Sequence, residues 1–93
     1  MTDAKEQRIV HVEGDVQGIG FRYTACRLAA GHDVTGYVRN LPDGGVECVI
    51  EGAAGEIDAL IEEIKSALGY HIRHVRQQKA PHSGSFSSFG VKF

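Results

Sequence analysis

V-E-C-V-I-E-G-A-A-G-E-I-D-A-L-I-E-E-I-K-S-A-L-G, Val46 to Gly69, changes its hydrophobic period partway along. From Val46 to Glu51 the residues alternate. Val46, Cys48 and Ile50 share one side, and Glu47, Val49 and Glu51 share the other, which is strand spacing. Gly52 to Gly55 then reads as a turn. From Glu56 to Leu68 the spacing lengthens: Ile57, Leu60, Ile61, Ile64 and Leu68 fall at i, i+3, i+4, i+7 and i+11. Asp58, Glu62, Glu63 and Lys65 keep to the opposite side, so the segment reads as an amphipathic helix. Gly69 stands where a helix C-terminal glycine belongs.

Working upstream, Val34 to Asn40 reads as a strand, joined to the next by the turn residues L-P-D-G-G. Phe21 to Ala30 reads as a helix with Ala25, Leu28 and Ala29 available for burial, broken by Gly31-His32-Asp33. Arg8 to Glu13 alternates as a first strand, Val10 and Val12 facing one way and Ile9 and His11 the other. Downstream, a strand near Ile72 to Gln77 precedes a polar loop, Pro81 to Ser85, and the chain ends on an alternating F-G-V-K-F strand. The order is strand, helix, strand, strand, helix, strand, with an extra C-terminal strand. Two interleaved β-α-β units of this kind give an α+β, ferredoxin-like βαββαβ sandwich, with a mainly antiparallel sheet and two helices on one face. Residues 1–93 are expected to form a single domain, with 1–7 as a polar, flexible lead.

Ninety-three residues with 42% hydrophobic content supply one core and no second. A net charge of −2 excludes a global basic field for a polyanion, so no nucleic-acid partner is expected. Nor is a membrane partner, because no window approaches the roughly 20 apolar residues of a span and the polar start lacks a signal-peptide core. Cys26 and Cys48 sit in ordinary helix and strand contexts and are expected as free thiols of a reducing compartment. These readings point to a cytoplasmic domain, most simply a monomer.

Two segments carry chemistry. G-D-V-Q-G-I-G-F-R, Gly14 to Arg22, joins the first strand to the first helix and holds three glycines in its first seven residues. Glycines let successive N–H groups turn into one concavity, and the following helix brings its positive end there. Arg22 adds a planar fork suited to two phosphoryl oxygens. Taken alone, such a loop is more often a plain β-α connection with a surface Arg. In the second segment, G-Y-V-R-N-L-P-D-G-G-V-E, Asn40 ends a strand, and its amide both donates and accepts, as needed to hold a water. Taken alone, it is equally a turn-capping asparagine.

Together the segments resemble the acylphosphatase family. Its V-Q-G-V-G-F-R loop stands here as Val16-Gln17-Gly18-Ile19-Gly20-Phe21-Arg22. Its G-W/Y-V-x-N strand end, with a D-G turn and V-E, stands as Gly36-Tyr37-Val38-Arg39-Asn40, Asp43-Gly44 and Val46-Glu47. The resemblance implies hydrolysis of a small-molecule acyl phosphate, with inorganic phosphate as product and inhibitor. It implies that the backbone amides of Gln17, Gly18, Ile19, Gly20, Phe21 and Arg22 bind the phosphoryl group. Arg22 and Asn40 would be the catalytic residues, with Asn40 orienting the attacking water. No cofactor, metal or covalent phosphoenzyme is implied.

The chain departs from the family pattern in places. Asp15 puts a carboxylate in the anion loop. His32-Asp33-Val34 replaces Leu-Gly-Leu, so either Asp33 adopts a left-handed conformation or the helix ends by Gly31. Tyr70 and Arg73 replace a Pro and a small residue, which unsettles the register of Ile72 to Gln77. His71 and His74 read as surface residues, since zinc needs further ligands, and His11 as decoration of the open sheet face. Three rival functions share the fold. An RNA-binding sheet would use Tyr37 but would meet Glu13, Glu47 and Glu51. The others are a sensor that has lost hydrolysis and a free-standing copy of the carbamoyl-phosphate module of hydrogenase-maturation carbamoyltransferases.

Overall fold

A computed structural model describes residues 4–93. The elements run β1 (Lys5–Gly14), α1 (Phe21–Ala29), β2 (Val34–Asn40), β3 (Val46–Ala53), α2 (Ala54–Leu68), a 3-10 turn (Gly69–His71), β4 (Ile72–Pro81) and β5 (Phe89–Val91). One five-stranded sheet has the order β4-β1-β3-β2-β5. β1, β2, β3 and β4 pair antiparallel, and β5 joins the free edge of β2 in parallel. This is the ferredoxin-like α+β architecture expected from the order of elements.

The core follows the two periods of the sequence. Val10, Val12, Val38, Val46, Cys48 and Ile50 form one sheet face. Phe21, Ala25 and Ala29 of α1 and Ile57, Leu60, Ile61 and Ile64 of α2 close over it. Both helices therefore lie on the same side. Fully burying an aliphatic side chain of this size contributes about 1.5–3 kcal/mol, so the α2 stripe is a principal source of stability.

Several boundaries differ from the sequence reading. β1 begins at Lys5 rather than Arg8. Residues 5–7 are not a flexible lead: Lys5, Glu6 and Gln7 oppose Ala53, Gly52 and Glu51 in register. Residues 1–3 lie outside the described residues. β3 extends to Ala53 and α2 starts at Ala54, so the expected Gly52–Gly55 turn is absorbed by the two elements. Gly69 is the C-cap of α2, at the helix end where the sequence put it; it is right-handed (φ −56) and leads into the 3-10 turn. β4 runs on to Pro81 because β1 offers it a partner as far as Glu6.

The turn after α1 answers the question posed by the missing glycine. Among the described residues no non-glycine has positive φ, and the helix ends at Ala29, with Ala30 N–H donating to the Cys26 carbonyl. His32 fills the gap instead. Its Nδ1 lies 3.2 Å from Glu56 Oε1 and its Nε2 3.1 Å from Glu63 Oε1. The Asp33 N–H also donates to Glu56 at 3.1 Å. The Glu63 and Glu56 carboxylates raise the His32 pKa, and the ring, held between them, ties the end of α1 to α2.

The second sheet face is also partly covered. Alternation puts Val49 and Glu51 on the side away from the helices, yet both are buried. The 82–88 segment returns across that face. Ser83 N–H and hydroxyl donate to Glu51 Oε2, Gly84 N–H donates to Oε1, and Gln7 Nε2 donates to Oε2. Phe86 meets the Tyr37 ring edge-on at 5.8 Å. Glu51 is thus a buried anchor and not the exposed anion assumed in the sequence reading.

Candidate active site

β1 delivers the chain into the glycine loop, and α1 begins directly after it. Gly18 and Gly20 have φ of 82 and 78, and a Cβ at either would meet no atom within 4 Å. The demand for glycine is therefore conformational, not spatial: L side chains rarely adopt this backbone. Gly20 is the N-cap of α1 and supplies no side chain to the helix start, and the first turn carries no acidic residue. The N–H groups from Gln17 to Tyr23 make no well-formed hydrogen bond to another described residue. A helix start left open in this way is an anion-binding arrangement.

The loop and the β2 end meet at one hollow of about 460 Å³. It is lined by Gly18, Gly20, Phe21 and Arg22 from the loop and α1, by Asn40 from β2, and by Val91 and Phe93 at the chain's end, among others. Sequence-distant Arg22 and Asn40 thus border the same concavity. Arg22 forms no ion pair among the described residues; its guanidinium carbon stands 5.3 Å from the Phe93 ring centre. Of the six residues whose amides were expected at a phosphoryl group, Gly18, Gly20, Phe21 and Arg22 line the hollow. Gln17 and Ile19 are not among the lining residues: the Ile19 side chain packs against the core and the Gln17 side chain bonds elsewhere. Among the described residues, the backbone N–H of each keeps no backbone partner outside the regular elements.

The Gln17 side chain is what sequence reasoning missed. Its Nε2 donates to the Leu41 carbonyl at 2.7 Å and to the Gly45 carbonyl at 2.9 Å. Leu41 N–H in turn donates to Gly45, and Gly45 N–H to Asp43 Oδ1. The amide therefore clasps the β2–β3 hairpin, whose first residue after Asn40 is Leu41, to the glycine loop. No local sequence signal announces this, since the partners are carbonyls 24 and 28 residues away. Replacing Gln17 with Ala removes one of two donors from each carbonyl, since Gly44 N–H still serves Leu41 and Leu41 N–H still serves Gly45, at a cost of about 0.5–1.5 kcal/mol per bond. The expected outcome is a fall of roughly tenfold in turnover, through loosened placement of Asn40. Gln17→Glu, which cannot donate when ionised, should match the Ala variant; normal turnover in both would show that the clasp is dispensable.

Asp15 and His11 fall outside the hollow. Asp15 N–H donates to the His71 carbonyl, and Asp15 borders a separate depression of about 200 Å³ with Tyr70, His71, Ile72 and Arg73. Its carboxylate is not among the groups around Arg22. His11 lies on the face away from the helices, where its Nε2 stands 3.2 Å from Asp43 Oδ2 but out of line for a hydrogen bond. Cys26 lines the hollow, and burial pushes its thiol pKa up, leaving little thiolate at neutral pH. Cys48, fully buried, is pushed to about 12, and neither cysteine forms a disulfide.

The sequence model of the Acylphosphatase family matches residues 8–91. The chain belongs to the acylphosphatase family. It is 46% identical over 66 residues to an acylphosphatase of Bordetella parapertussis, covering 70% of each chain. It is 35% identical over 92 residues to one from Paenarthrobacter aurescens, covering 98% of each. In three dimensions it is similar to an acylphosphatase from Bacillus subtilis, with a TM-score of 0.87 and 26% identity, over 95% of this chain and 99% of that one. Acylphosphatase-family membership and the independently read fold thus agree across nearly the whole length.

Proposed function

We propose that the protein is a metal-independent acylphosphatase, which hydrolyses the carboxyl–phosphate bond of acyl phosphates to a carboxylate and inorganic phosphate. The supporting observation is the single hollow bordered by the open start of α1, Arg22 and Asn40. The phosphoryl oxygens sit against the N–H groups of the glycine loop and the first turn of α1, where the helix dipole favours negative charge. The Arg22 guanidinium takes the remaining oxygens as a fork. Asn40 accepts a hydrogen bond from a water and holds it in line with the bond to be broken. The water oxygen bonds to phosphorus as the carboxylate leaves with the electron pair of the old P–O bond. The water's proton passes to a phosphoryl oxygen. A carboxylate is a good leaving group, so positioning and charge stabilisation suffice. In this scheme water attacks phosphorus directly, with no covalent intermediate.

The same reading makes the protein a cytoplasmic monomer without nucleic-acid or membrane partners. The apolar stripe of α2 is spent on the core. Tyr37, the aromatic an RNA-binding sheet would display, is met by Phe86 and Lys92. Among the described residues no helix is long and apolar enough to cross a membrane.

Benzoyl, acetyl and carbamoyl phosphate, each assayed with EDTA present, test the proposal. All three are expected to be hydrolysed, the carboxyl phosphates at rates EDTA does not change. Binding of carbamoyl phosphate with no turnover of any substrate would instead favour a non-catalytic module.

A further inference from the structure

We infer that the hollow contains a subsite for the acyl group: an apolar wall of Tyr23, Val91 and Phe93 that favours acyl phosphates with longer aliphatic chains over acetyl phosphate. This rests on the phosphoryl placement proposed above. Four large hydrophobic side chains of the described residues are strongly exposed, and three of them border this one hollow: Tyr23 at 73%, Val91 at 40% and Phe93 at 99%. Apolar residues scattered singly on a surface need no explanation, but a cluster rimming a concavity marks a binding surface. Val16, Phe21 and Cys26 extend the uncharged lining. A volume of about 460 Å³ also exceeds what a phosphoryl group alone would fill.

The positions suit an acyl tail. Arg22 is the one charged side chain in the lining, and the Phe93 ring stands 5.3 Å from it. The acyl carbon is one oxygen away from phosphorus, so a tail leaving the cradle starts beside Arg22 and meets this wall. The wall is held by the elements that carry the candidate catalytic residues. Tyr23 follows Arg22 on α1. Val91 opposes Val38 in the β2–β5 pairing, and Lys92 N–H donates to the Val38 carbonyl at 2.9 Å, two residues before Asn40. A charged tail would find no partner there apart from Arg22, which the phosphoryl group occupies.

The test is a chain-length series of acetyl, butanoyl and hexanoyl phosphate, whose carboxylate leaving groups are similarly basic. A fully buried methylene is worth about fourfold and a half-covered one about twofold. Hexanoyl phosphate is therefore expected to exceed acetyl phosphate in kcat/KM by about tenfold or more. In the double variant Tyr23→Ser/Val91→Thr that ratio should fall below about threefold, with acetyl phosphate kcat/KM within about threefold of the parent. Phe93→Ala should lower the hexanoyl value selectively. A flat series in the parent, or an undiminished ratio in the double variant, overturns the subsite while leaving acylphosphatase activity standing. Equal losses on both substrates in Phe93→Ala would assign that ring to Arg22 and remove it from the subsite. No turnover of any member overturns the proposed function and the subsite together.

Discussion

Arg22→Ala and Asn40→Ala are each expected to lower single-turnover hydrolysis of benzoyl phosphate by at least ~10²-fold, the scale for losing one oriented transition-state donor. Arg22 lacks an ion-pair partner among the described residues, so its charge is available to a ligand. Removing it takes away the one side-chain cation in the hollow. Asn40 ends β2 opposite Val46, on a hairpin clasped by Gln17. In the proposed scheme its loss removes the group that aims the water and leaves the cradle in place. The two variants should therefore differ in product binding: Arg22→Ala loses inhibition by inorganic phosphate, whereas Asn40→Ala keeps most of it. Near-normal turnover in either variant would refute its assigned role.

Glu51→Gln is expected to lower the unfolding free energy at neutral pH. The Glu51 carboxylate is buried and accepts from Ser83, Gly84 and Gln7, and these bonds outweigh burial and hold its pKa at about 2, against an ordinary 4.5. A carboxylate depressed on folding stabilises the native state above its unfolded pKa, and that stability is lost as pH falls toward the folded value. The shift corresponds to about 3 kcal/mol; a Gln amide oxygen keeps some of the same hydrogen bonds, which lowers the expected loss to on the order of 2 kcal/mol. The gap between parent and Glu51→Gln should be largest above pH 4.5 and narrow as pH falls toward and through about 2, where the parent carboxyl takes up its proton. Denaturant melts across that range check this. A gap that stays constant with pH would mean that charge at Glu51 contributes nothing. The consequence reaches the hollow, because the 82–88 segment anchored by Glu51 leads into β5 and so to Val91 and Phe93.

What the sequence made legible divides by physical range. Hydrophobic spacing is a local property, so β3 and α2 could be read from Val46–Leu68, and the order of elements then gave the fold. Boundaries failed where tertiary pairing extends an element past its own pattern, as when β1 recruits Lys5 to Gln7. Alternation assigned Glu51 to the wet side because it knows nothing of a segment returning thirty residues later. The loop glycines and Arg22 were readable through their chemistry. The clasp from Gln17 to Leu41 and Gly45 was not, since nothing in a glutamine's neighbours reveals which carbonyls it will meet. The Tyr23, Val91 and Phe93 wall was hidden for the same reason: its members meet only because the β2–β5 pairing brings residues 89–93 beside α1.

A 15N–1H titration of the protein with inorganic phosphate bears most directly on the central claim. The expected result is saturable shifts concentrated at the N–H groups of Gly18, Gly20, Phe21 and Arg22 and at the Asn40 side-chain amide, all strongly weakened in Arg22→Ala. Shifts centred instead on Asp15 and Tyr70 to Arg73, or spread over the surface without saturation, would contradict the account.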